Sequence, residues 1–545
     1  MSIRSEILIL LSTIVLISCK EEVEKPRLVV LISIDQLAHH TYTNYLPMFT
    51  DGFKWLHDHG VTFDNAHHEH GYTGTGPGHF ALGSGLYPGP AGMIGNSWYD
   101  RKSGKNIYCV EDSSAHSMDT PAYSVSYKNV NGSAFGDWLK AVSPDSKVYS
   151  VACKDRAAIL MGGKNPDAAI WYNWRGEFTS TDYYFENTPQ WVTDFNTENN
   201  MISYRDSVWT KSWPDSVYSE YAHPDSFFGE SDRYLNEYYT PIFPLGFEEE
   251  WDDSKIFSEM GGRPWMDRMT LELATRAVDV GALGQDNIPD VLTIGLSVMD
   301  IVGHHYGPYS HEAMDLMVKM DQYLGDFLDR LDEQVGLENV LVVMTSDHGV
   351  LPLPEHWTQV QGRQGGRIDG EAYQANRAKA YAKLDSLYGN HDFIHRKGSC
   401  YYYNYSMMDS MGIDSKQVDP VMQQAIESVE GIHRLYTRAE LLAADISDPP
   451  KMRLSRFVHS ELSPDLYTLV DKGWLFYGPY GTNHGTPYEY DSHIPLVFSR
   501  ENFDSVILTD SVATVDIAPT VGDILGVTPT NKVDGTSLRA RLMGE

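Results

Sequence analysis

The strongest constraint on the fold is a set of short, continuous hydrophobic runs spread along almost the whole chain. Apolar residues fill these runs without regular polar alternation, so both faces of each predicted strand are expected to be buried. Strands of this kind are typical of parallel sheets covered on both sides. The runs occupy residues 28–34, 147–152, 291–296, 340–345 and 494–499.

The segment between the third and fourth runs has the periodicity of a helix. Apolar residues recur at helical spacing from Glu312 to Leu331, with acids and bases between them. A strand, a helix and a second strand in this order form the unit from which parallel sheets are built. The sequence therefore predicts an α/β fold with a mainly parallel central sheet.

Two long stretches of the chain do not follow this rhythm. Residues from about 165 to 285 are rich in aromatic residues, Asp and Ser, and residues from about 355 to 475 are mixed, with a helical pattern at 370–387. Both stretches lie between predicted core strands. We therefore predict one catalytic domain over residues 27–545, in which these two stretches are insertions that cap the ligand-binding edge of the sheet.

The N-terminus has the features of an export signal. A short basic start precedes the apolar run 7–18, which is too short to span a bilayer as a helix. The run ends in Leu16-Ile17-Ser18-Cys19, which resembles the lipobox of bacterial lipoproteins, although an ordinary signal peptide would also fit. These features predict a signal peptide over 1–18, a lipid on Cys19 and a tether over 19–26. The protein is then expected in the periplasm, the outer membrane or the cell surface of a Gram-negative bacterium.

The charge balance restricts the partners of the protein. The net charge is −33, from 75 acidic and 42 basic residues. Nucleic acids and anionic membrane surfaces require a basic surface, so neither is expected as a main partner, and membrane contact is expected only through the N-terminal lipid. An anionic substrate would need local positive charge from metal ions or a few bases. We expect the protein to be a monomer.

The cysteines do not form a metal-binding pattern. Beyond Cys19 the chain has only Cys109, Cys153 and Cys400, and none of them is closely spaced with another. This pattern gives neither a disulfide framework nor a thiolate zinc site. Any metal ion must therefore be held by histidines and carboxylates.

Side chains suited to catalysis follow the predicted strands directly. Each one alone has a simpler explanation, because an Asp at a strand end is usually a helix cap or a turn residue. However, ligands of parallel α/β sheets bind beyond the carboxyl ends of the strands, so these side chains are expected to meet in one cleft. They are Asp35, Lys154, Arg156, Asp300, His304, Asp347 and His348.

Two sets of three metal ligands can be assembled from these residues and from His484 near the C-terminus. Carboxylate and neutral imidazole are the ligands that zinc takes where cysteine is absent, with one position open for catalysis. A candidate nucleophile, Thr75, lies in the glycine-rich segment 73–79 before an apolar stretch. A helix cap is the simpler explanation for this threonine, and its hydroxyl is inert unless a base or a metal ion activates it.

Taken together, these motifs resemble the alkaline phosphatase superfamily, and within it the zinc-dependent phosphomonoesterases of the PafA type, which use a threonine nucleophile. The matching pieces follow the order of the family from about residue 27 to 540. They are residues 33–36, 75–79, 94–100, 154–158, 300–304, 346–349, 484–485 and 516–520.

The resemblance implies a three-layer α/β/α sandwich and two zinc ions per chain. One zinc would be held by Asp35, Asp347 and His348 and would also bind the oxygen of Thr75. The second zinc would be held by Asp300, His304 and His484.

The resemblance also implies roles in catalysis. Thr75 would be phosphorylated and then hydrolysed, and Asn96 would donate a hydrogen bond to a phosphate oxygen. Lys154 and Arg156 would bind the other oxygens. A monoester carries an additional anionic oxygen that is costly to desolvate without cations, and two bases at alternate positions point the same way if the chain stays extended. The expected activity is hydrolysis of small phosphate monoesters to an alcohol and inorganic phosphate.

Other functions remain open on the sequence. A phosphodiesterase or nucleotide pyrophosphatase of the same fold shares the metal ligands and the threonine, and only Lys154, Arg156 and Asn96 argue against it. A sulfatase would need a different nucleophile segment, and a phosphoglycerate mutase would use serine and a cytoplasmic location. A non-catalytic surface lipoprotein that binds metal or a partner would be expected to have lost a ligand or the nucleophile.

Overall fold

A computed structural model describes residues 25–119, 124–231, 242–443, 447–476 and 478–544. The predicted signal peptide, residues 1–18, and the predicted lipid-bearing Cys19 lie outside the described residues. Across the described ranges, no helix combines the length and the hydrophobicity that crossing a membrane would require.

The strands occur throughout the described chain. In chain order they are β1 Leu28–Ile34, β2 Gly60–Phe63, β3 Ala66–His67, β4 Ser97–Asp100, β5 Lys105–Tyr108, β6 Val148–Ala152, β7 Ala168–Tyr172, β8 Phe178–Thr179, β9 Asp290–Leu296, β10 Val340–Thr345, β11 Gly366–Arg367, β12 Ile394–Lys397, β13 Cys400–Tyr403, β14 Ile432–Thr437, β15 Leu466–Val470, β16 Trp474–Leu475, β17 His493–Ile494, β18 Val497–Ser499, β19 Val506–Leu508 and β20 Val512–Ala513.

The helices alternate with the strands. In chain order they are α1 His39–Tyr45, α2 Gly52–Asp58, α3 Thr75–Ser84, α4 Pro88–Ala91, α5 Phe135–Val142, α6 Asp155–Gly162, α7 Gln190–Glu198, α8 Asp215–Tyr221, α9 Asp253–Met260, α10 Pro264–Gly281, α11 Val298–Tyr306, α12 His311–Gln334, α13 Gly370–Tyr388, α14 Tyr405–Met411, α15 Ser415–Ile426, α16 Arg438–Leu442, α17 Pro449–Ser455, α18 Glu489–Ser492, α19 Ile517–Leu525 and α20 Arg539–Leu542.

A nine-stranded sheet forms the centre of the fold, in the order β19-β2-β18-β10-β1-β9-β6-β7-β8. Strands β10, β1, β9, β6 and β7 run parallel to one another. Their register is aligned, since Leu28 of β1 pairs with Val340 of β10 and with Asp290 of β9. The carboxyl ends of these strands therefore lie at the same edge of the sheet.

Both faces of the sheet are buried, as the continuous hydrophobic runs predict. Along β1, Leu28, Val30 and Ile32 belong to one hydrophobic core, whereas Val29 and Leu31 belong to another. Successive side chains of a strand point to opposite faces, so the two cores lie on opposite sides of the sheet.

Helices cover the two cores. The first core contains Met269 and Leu273 of α10 and Met317 and Leu324 of α12. The second core contains side chains of α3, α6 and α19, including Phe80, Ile159 and Val521. A layer of helices, the sheet and a second layer of helices together make the expected three-layer α/β/α sandwich, and the predicted fold class is confirmed.

The fifth predicted strand differs from the expectation. The run 494–499 is divided between β17, which pairs with β3, and β18, which lies in the central sheet. The break falls at Pro495, which has no backbone N–H for a ladder. Strand β18 pairs antiparallel with both β10 and β2, so the prediction that this run is a parallel strand was wrong.

The two predicted insertions differ in structure. The second, residues 355–475, contains helices α13 to α17 and a four-stranded sheet in the order β12-β13-β15-β14, with a hydrophobic core of its own. The first, residues 165–285, includes β7 and β8, which are strands of the central sheet. The central sheet thus continues into the aromatic-rich stretch, where the sequence has too little periodicity to predict these strands.

Candidate active site

The predicted ligands and bases meet at the carboxyl edge of the central sheet. Asp35 follows β1, Asp300 lies in the helix that follows β9, and Asp347 and His348 follow β10. Strands β10, β1 and β9 are immediate neighbours, and β6, which precedes Lys154, is next in the sheet. The strand order therefore explains why residues more than 300 positions apart in the sequence share one site.

One group of ligand atoms consists of Asp300, His304 and His484, whose atoms all lie within 4.8 Å of one another. Helix α11 carries Asp300 and His304 one turn apart, so that Nε2 of His304 is 3.2 Å from Oδ1 of Asp300. Nε2 of His484 is 3.6 Å from the same oxygen. These three side chains are one of the two ligand sets that the sequence predicts.

A second group consists of Asp35, Asp300 and His348, again within 4.8 Å of one another. Nε2 of His348 is 3.4 Å from Oδ1 of Asp35 and 3.5 Å from Oδ2 of Asp347. The predicted set contains Asp347 rather than Asp300. Three carboxylates, those of Asp35, Asp300 and Asp347, thus lie around His348, and Asp300 is a member of both groups.

The three histidines are oriented in the same way. Their Nδ1 atoms contact backbone carbonyl oxygens, at 2.9 Å for His304 and Thr482, at 3.0 Å for His348 and Gly349, and at 2.7 Å for His484 and Thr73. A ring that donates from Nδ1 to a carbonyl has an Nε2 free of hydrogen, and this second contact fixes the ring orientation. In its neutral form, each histidine therefore directs the lone pair of Nε2 into the site, where a metal ion could accept it.

Several buried atoms of the site have no hydrogen-bond partner. They include Oδ1 of Asp35, Oδ2 of Asp347 and Nε2 of His348, all in side chains that are fully buried. Buried polar atoms without partners are rare, because no hydrogen bond then compensates for the free energy of removing the atom from water. Carboxylate and imidazole atoms that converge in this way fit a divalent cation of the zinc class.

Lys154 bridges two of the carboxylates. Its Nζ donates to Oδ2 of Asp35 at 2.6 Å and to Oδ2 of Asp300 at 2.5 Å. Burial opposes the charged amine, but Asp300 and Asp35 outweigh it and raise the pKa of Lys154. Burial, together with Asp300 and Asp347, raises the pKa of Asp35. The ammonium therefore partly neutralises a strongly acidic, buried cluster.

Thr75 is the first residue of α3, and its preceding residue, Gly74, is extended. The side chain is buried, and its Oγ1 accepts a hydrogen bond of 3.2 Å from Nη2 of Arg156. The N-terminus of a helix favours an anion through the positive end of the helix dipole. The threonine hydroxyl thus lies at a position where a phosphate group would be stabilised.

The backbone of α3 lies directly against the loop that carries the proposed metal ligands. A Cβ atom on Gly78 would lie 2.1 Å from the carbonyl oxygen of Asp347. Only glycine fits at that distance, so α3 contacts the loop that carries Asp347 and His348 directly. The lack of a side chain at Gly78 therefore sets the distance between the nucleophile and the ligands.

Asn96 and Arg156 are held beside Thr75. The Oδ1 atom of Asn96 accepts a hydrogen bond of 2.6 Å from the N–H of Gly76. Nη1 of Arg156 donates to the hydroxyl of Tyr108 at 3.3 Å, and that hydroxyl donates to Asp155 at 2.7 Å. No sequence pattern singles out Tyr108, because it lies far from Arg156 in the chain.

The path of the chain after β6 differs from the expectation. Lys154 is extended, but Asp155 begins α6, so Arg156 is helical. The premise that both bases point the same way along an extended chain was wrong. Both side chains nevertheless reach the site, Lys154 towards the carboxylates and Arg156 towards Thr75.

Gln36 is a residue of the site that sequence reasoning missed. It has a φ of 69°, which is uncommon for a residue with a side chain. Its N–H donates to Oδ1 of Asp347 at 3.1 Å, and its Nε2 donates to Oδ1 of Asp300 at 2.7 Å. The glutamine, which lies after β1, therefore links two carboxylates that lie beyond β9 and β10, the strands on either side of β1.

A cavity of about 640 Å³ adjoins the site. Asn96 and His484 form part of its wall, and Tyr373, Tyr402 and Trp474 from the segment 355–475 form another part. Arg396 and Lys397 lie at the same cavity. The separately folded insertion thus provides an aromatic and basic wall next to Thr75 and the ligand groups.

Comparisons with known proteins extend over nearly the whole chain. A family model described as "Type I phosphodiesterase / nucleotide pyrophosphatase" matches residues 29–493. The alkaline phosphatase PafA of Elizabethkingia meningoseptica is 29% identical over 517 residues, which cover 93% of this chain and 92% of that protein. The alkaline phosphatase PhoV of Synechococcus elongatus is 31% identical over 517 residues, which cover 93% of this chain and 91% of that protein.

The fold has a similar counterpart among solved structures. The crystal structure of wild-type alkaline phosphatase PafA has a TM-score of 0.85 to this structure at 28% sequence identity, and the match covers 95% of this chain and 99% of that chain. The structural similarity to PafA therefore includes both the central sheet with its helices and the two insertions.

Proposed function

The chain belongs to the type I phosphodiesterase and nucleotide pyrophosphatase family of the alkaline phosphatase superfamily, and we propose that this phosphate-ester hydrolase is specific for monoesters and uses Thr75 as its nucleophile. One observation carries the proposal: the hydroxyl of Thr75 lies at a helix N-terminus, in contact with Arg156 and beside two groups of carboxylate and imidazole atoms. The alkaline phosphatases PafA and PhoV, both similar over most of the chain, support it.

We propose that two zinc ions complete the site. Asp35, Asp347 and His348, with Thr75, would hold one ion, and the group at α11 would hold the other. When bound, zinc supplies a field that favours the ionised threonine hydroxyl and offsets charge on the phosphate. The unpaired buried atoms of Asp35, Asp347 and His348 support this donor set.

The reaction proceeds in two displacements at Thr75. In the first, its Oγ1 forms a bond to phosphorus and gives up its proton to water while the bond to the alcohol oxygen breaks, and the departing alcohol oxygen takes a proton from water. In the second, a water oxygen attacks the phosphothreonine, so that inorganic phosphate is released and the hydroxyl is restored. The positive end of the α3 dipole and the guanidinium of Arg156 would face the anionic phosphate throughout.

Three side chains account for the preference for monoesters. A monoester has one more anionic oxygen than a diester, and that oxygen needs cationic partners when it leaves water. Arg156, which already contacts Thr75, offers a forked guanidinium, and Lys154 offers a point charge. Asn96 is fixed beside Gly76 and adds a neutral donor.

The proposal is tested with a soluble form of the protein that starts after Cys19. We expect kcat/KM for an aryl phosphate monoester to exceed that for the matching diester. A higher value for the diester would instead assign the phosphodiesterase activity that the family model names. The cavity beside Asn96 would receive the alcohol part of either substrate.

Replacement of Arg156 by alanine is expected to affect the two substrates differently. A hydrogen bond to a charged group contributes about 1.5–3 kcal/mol, which corresponds to a loss of roughly 10- to 150-fold in kcat/KM for the monoester. The diester lacks the extra charged oxygen, so its loss should be several-fold at most. Arg175, which is exposed on the surface, provides the matched control Arg175→Ala. Equal losses for both substrates would contradict this account of specificity.

We also propose that the protein is exported as a monomeric lipoprotein through residues 1–18 and Cys19. The apolar run and the lipobox-like residues support this localisation. Labelling with a radioactive fatty acid should be lost in Cys19→Ala, and the protein should then leave the membrane fraction. Unchanged labelling would exclude Cys19 as the lipid site.

A further inference from the structure

A second cluster of acidic and histidine side chains lies outside the ligand groups of the proposed active site. It joins the segment before residue 232 to the first turn of α12. Four of its five members are almost completely buried, and Asp225 is half-buried. We call it the α12 cluster, and its members are His223, Asp225, Glu230, His311 and Glu312.

The polar atoms of the α12 cluster have few partners. Within the ranges that the structure describes, seven buried atoms of the cluster have no hydrogen-bond partner. The same condition marks the ligand atoms of Asp35, Asp347 and His348 in the proposed active site. The unpaired atoms are Nε2 of His223, Oδ1 of Asp225, Oε1 of Glu230, both ring nitrogens of His311 and both carboxylate oxygens of Glu312.

One separation within the cluster is that of neighbouring ligands, since Nδ1 of His311 is 3.6 Å from Oδ1 of Asp225. Nδ1 of His223 is 3.6 Å from Oε1 of Glu230 but also contacts the carbonyl oxygen of Pro224 at 3.2 Å, so His223 would bind an ion through its unpaired Nε2. The two distances of 3.6 Å are too long for good hydrogen bonds. Two ligands on a tetrahedral zinc ion, with bonds of about 2.0–2.1 Å, are separated by about 3.3 Å.

The proposed active site provides an internal comparison. There the histidine and carboxylate atoms are separated by 3.2 to 3.6 Å. Among the described residues, however, only the two active-site groups have three ligand atoms within 4.8 Å of one another. The α12 cluster is therefore wider, and its flexible glutamate side chains would have to close on an ion.

Burial holds both glutamates of the cluster mainly in the protonated form near neutral pH, so a cation would bind by displacing their protons. Burial and Glu312 raise the pKa of Glu230 to about 10, and burial raises that of Glu312 to about 8. Burial lowers the pKa of His223 to about 4, so its ring is neutral and has a lone pair. Lys211, a cation at the edge, donates to Oδ2 of Asp225 at 2.8 Å and leaves Oδ1 facing His311.

We propose that the α12 cluster binds a third divalent cation, of the zinc class. A mixture of imidazole nitrogens and carboxylate oxygens favours zinc and related transition metals over calcium, which takes oxygen ligands alone. The ion would join the segment that carries His223, Asp225 and Glu230 to the first turn of α12.

The position of the cluster gives the ion a structural role. The N–H of Ser231 donates to the carbonyl of His305 at 2.8 Å, and His305 is adjacent to His304 in α11. The N–H of Gly481 donates to the carbonyl of Gly229 at 2.6 Å, and the same loop carries His484. An ion in the α12 cluster would therefore hold the segment that supports two elements of the proposed active site.

The test is a metal count by mass spectrometry on the full mature chain, loaded with zinc and then desalted. We expect Glu230→Gln/Glu312→Gln to hold one zinc fewer per chain than the wild type, because glutamine keeps the shape and removes the charge. The matched control Glu333→Gln/Glu338→Gln, at two exposed sites, should keep the wild-type count. An equal count in the cluster variant and the wild type would overturn the proposal.

A second arm removes the proposed active-site ions. In a chain with Asp300→Asn and His348→Ala, calorimetric titration with zinc should still detect a site, and adding His311→Ala should abolish it. This experiment also tests the proposal if the glutamine variant does not fold. The proposal would be overturned if the chain with Asp300→Asn and His348→Ala bound no zinc. It would also be overturned if the glutamine variant had a higher melting temperature than the zinc-loaded wild type.

Discussion

Replacement of Thr75 by alanine is expected to lower kcat/KM for an aryl phosphate monoester by at least about a thousandfold, or about 4 kcal/mol of transition-state stabilisation. The hydroxyl is the only nucleophile that the proposal places at the start of α3, and Arg156 contacts its Oγ1 at 3.2 Å. Water that replaced it would have to attack without the fixed geometry of a side chain. The measurement is steady-state kinetics with the metal content of both proteins matched.

Two further variants serve as controls for Thr75→Ala. Thr75→Ser keeps a hydroxyl and should retain much of the activity. Thr197→Ala makes the same chemical change on the exposed face of α7, where the hydroxyl contacts only a carbonyl of its own helix at 2.8 Å, and should be silent. Acid-quenched wild type should carry phosphate on Thr75. Full activity in Thr75→Ala would show that another group attacks phosphorus.

Removal of divalent metal is expected to lower the activity by more than about a thousandfold, and zinc should restore it. One atom each of Asp35, Asp347 and His348 is buried without a hydrogen-bond partner, so these atoms are poorly solvated when no cation is present. Calcium and magnesium favour all-oxygen sites and should restore far less. The measurement is activity against added metal after dialysis with a chelator.

The glutamine variant of the α12 cluster serves as a control for this experiment. Zinc should still restore activity in Glu230→Gln/Glu312→Gln, because the groups around His348 and His484 are unchanged. Thermal unfolding should be recorded in parallel, since a ligand that binds the native state raises its stability. Undiminished activity in a chain with far less than one metal ion would exclude metal-assisted hydrolysis.

The residues of the site could be predicted from the sequence better than the structure around them, because of the geometry of parallel sheets. Asp35, Asp300 and Asp347 follow continuous hydrophobic runs, and the carboxyl ends of parallel strands meet at one edge. The order of the strands did not have to be known, because any parallel arrangement brings these ends together. The same argument covers Lys154, which follows β6.

Features that depend on the exact path of the chain could not be predicted. The antiparallel direction of β18 follows from its pairing with β10 and β2, which has no sequence signal. Tyr108 and Gln36 act through contacts with residues far away in the sequence. The α12 cluster unites residues some 80 positions apart, and neither of its two halves has ligand spacing of its own.

The bridge that Lys154 makes between Asp35 and Asp300 has a consequence for how the protein matures. A resident ammonium group allows acidic side chains to enter the interior before any ion arrives, so the polypeptide can reach its final shape in zinc-poor surroundings. Under the proposal of a zinc site, scarcity of zinc would then lower the fraction of molecules that are active more than the fraction that are folded.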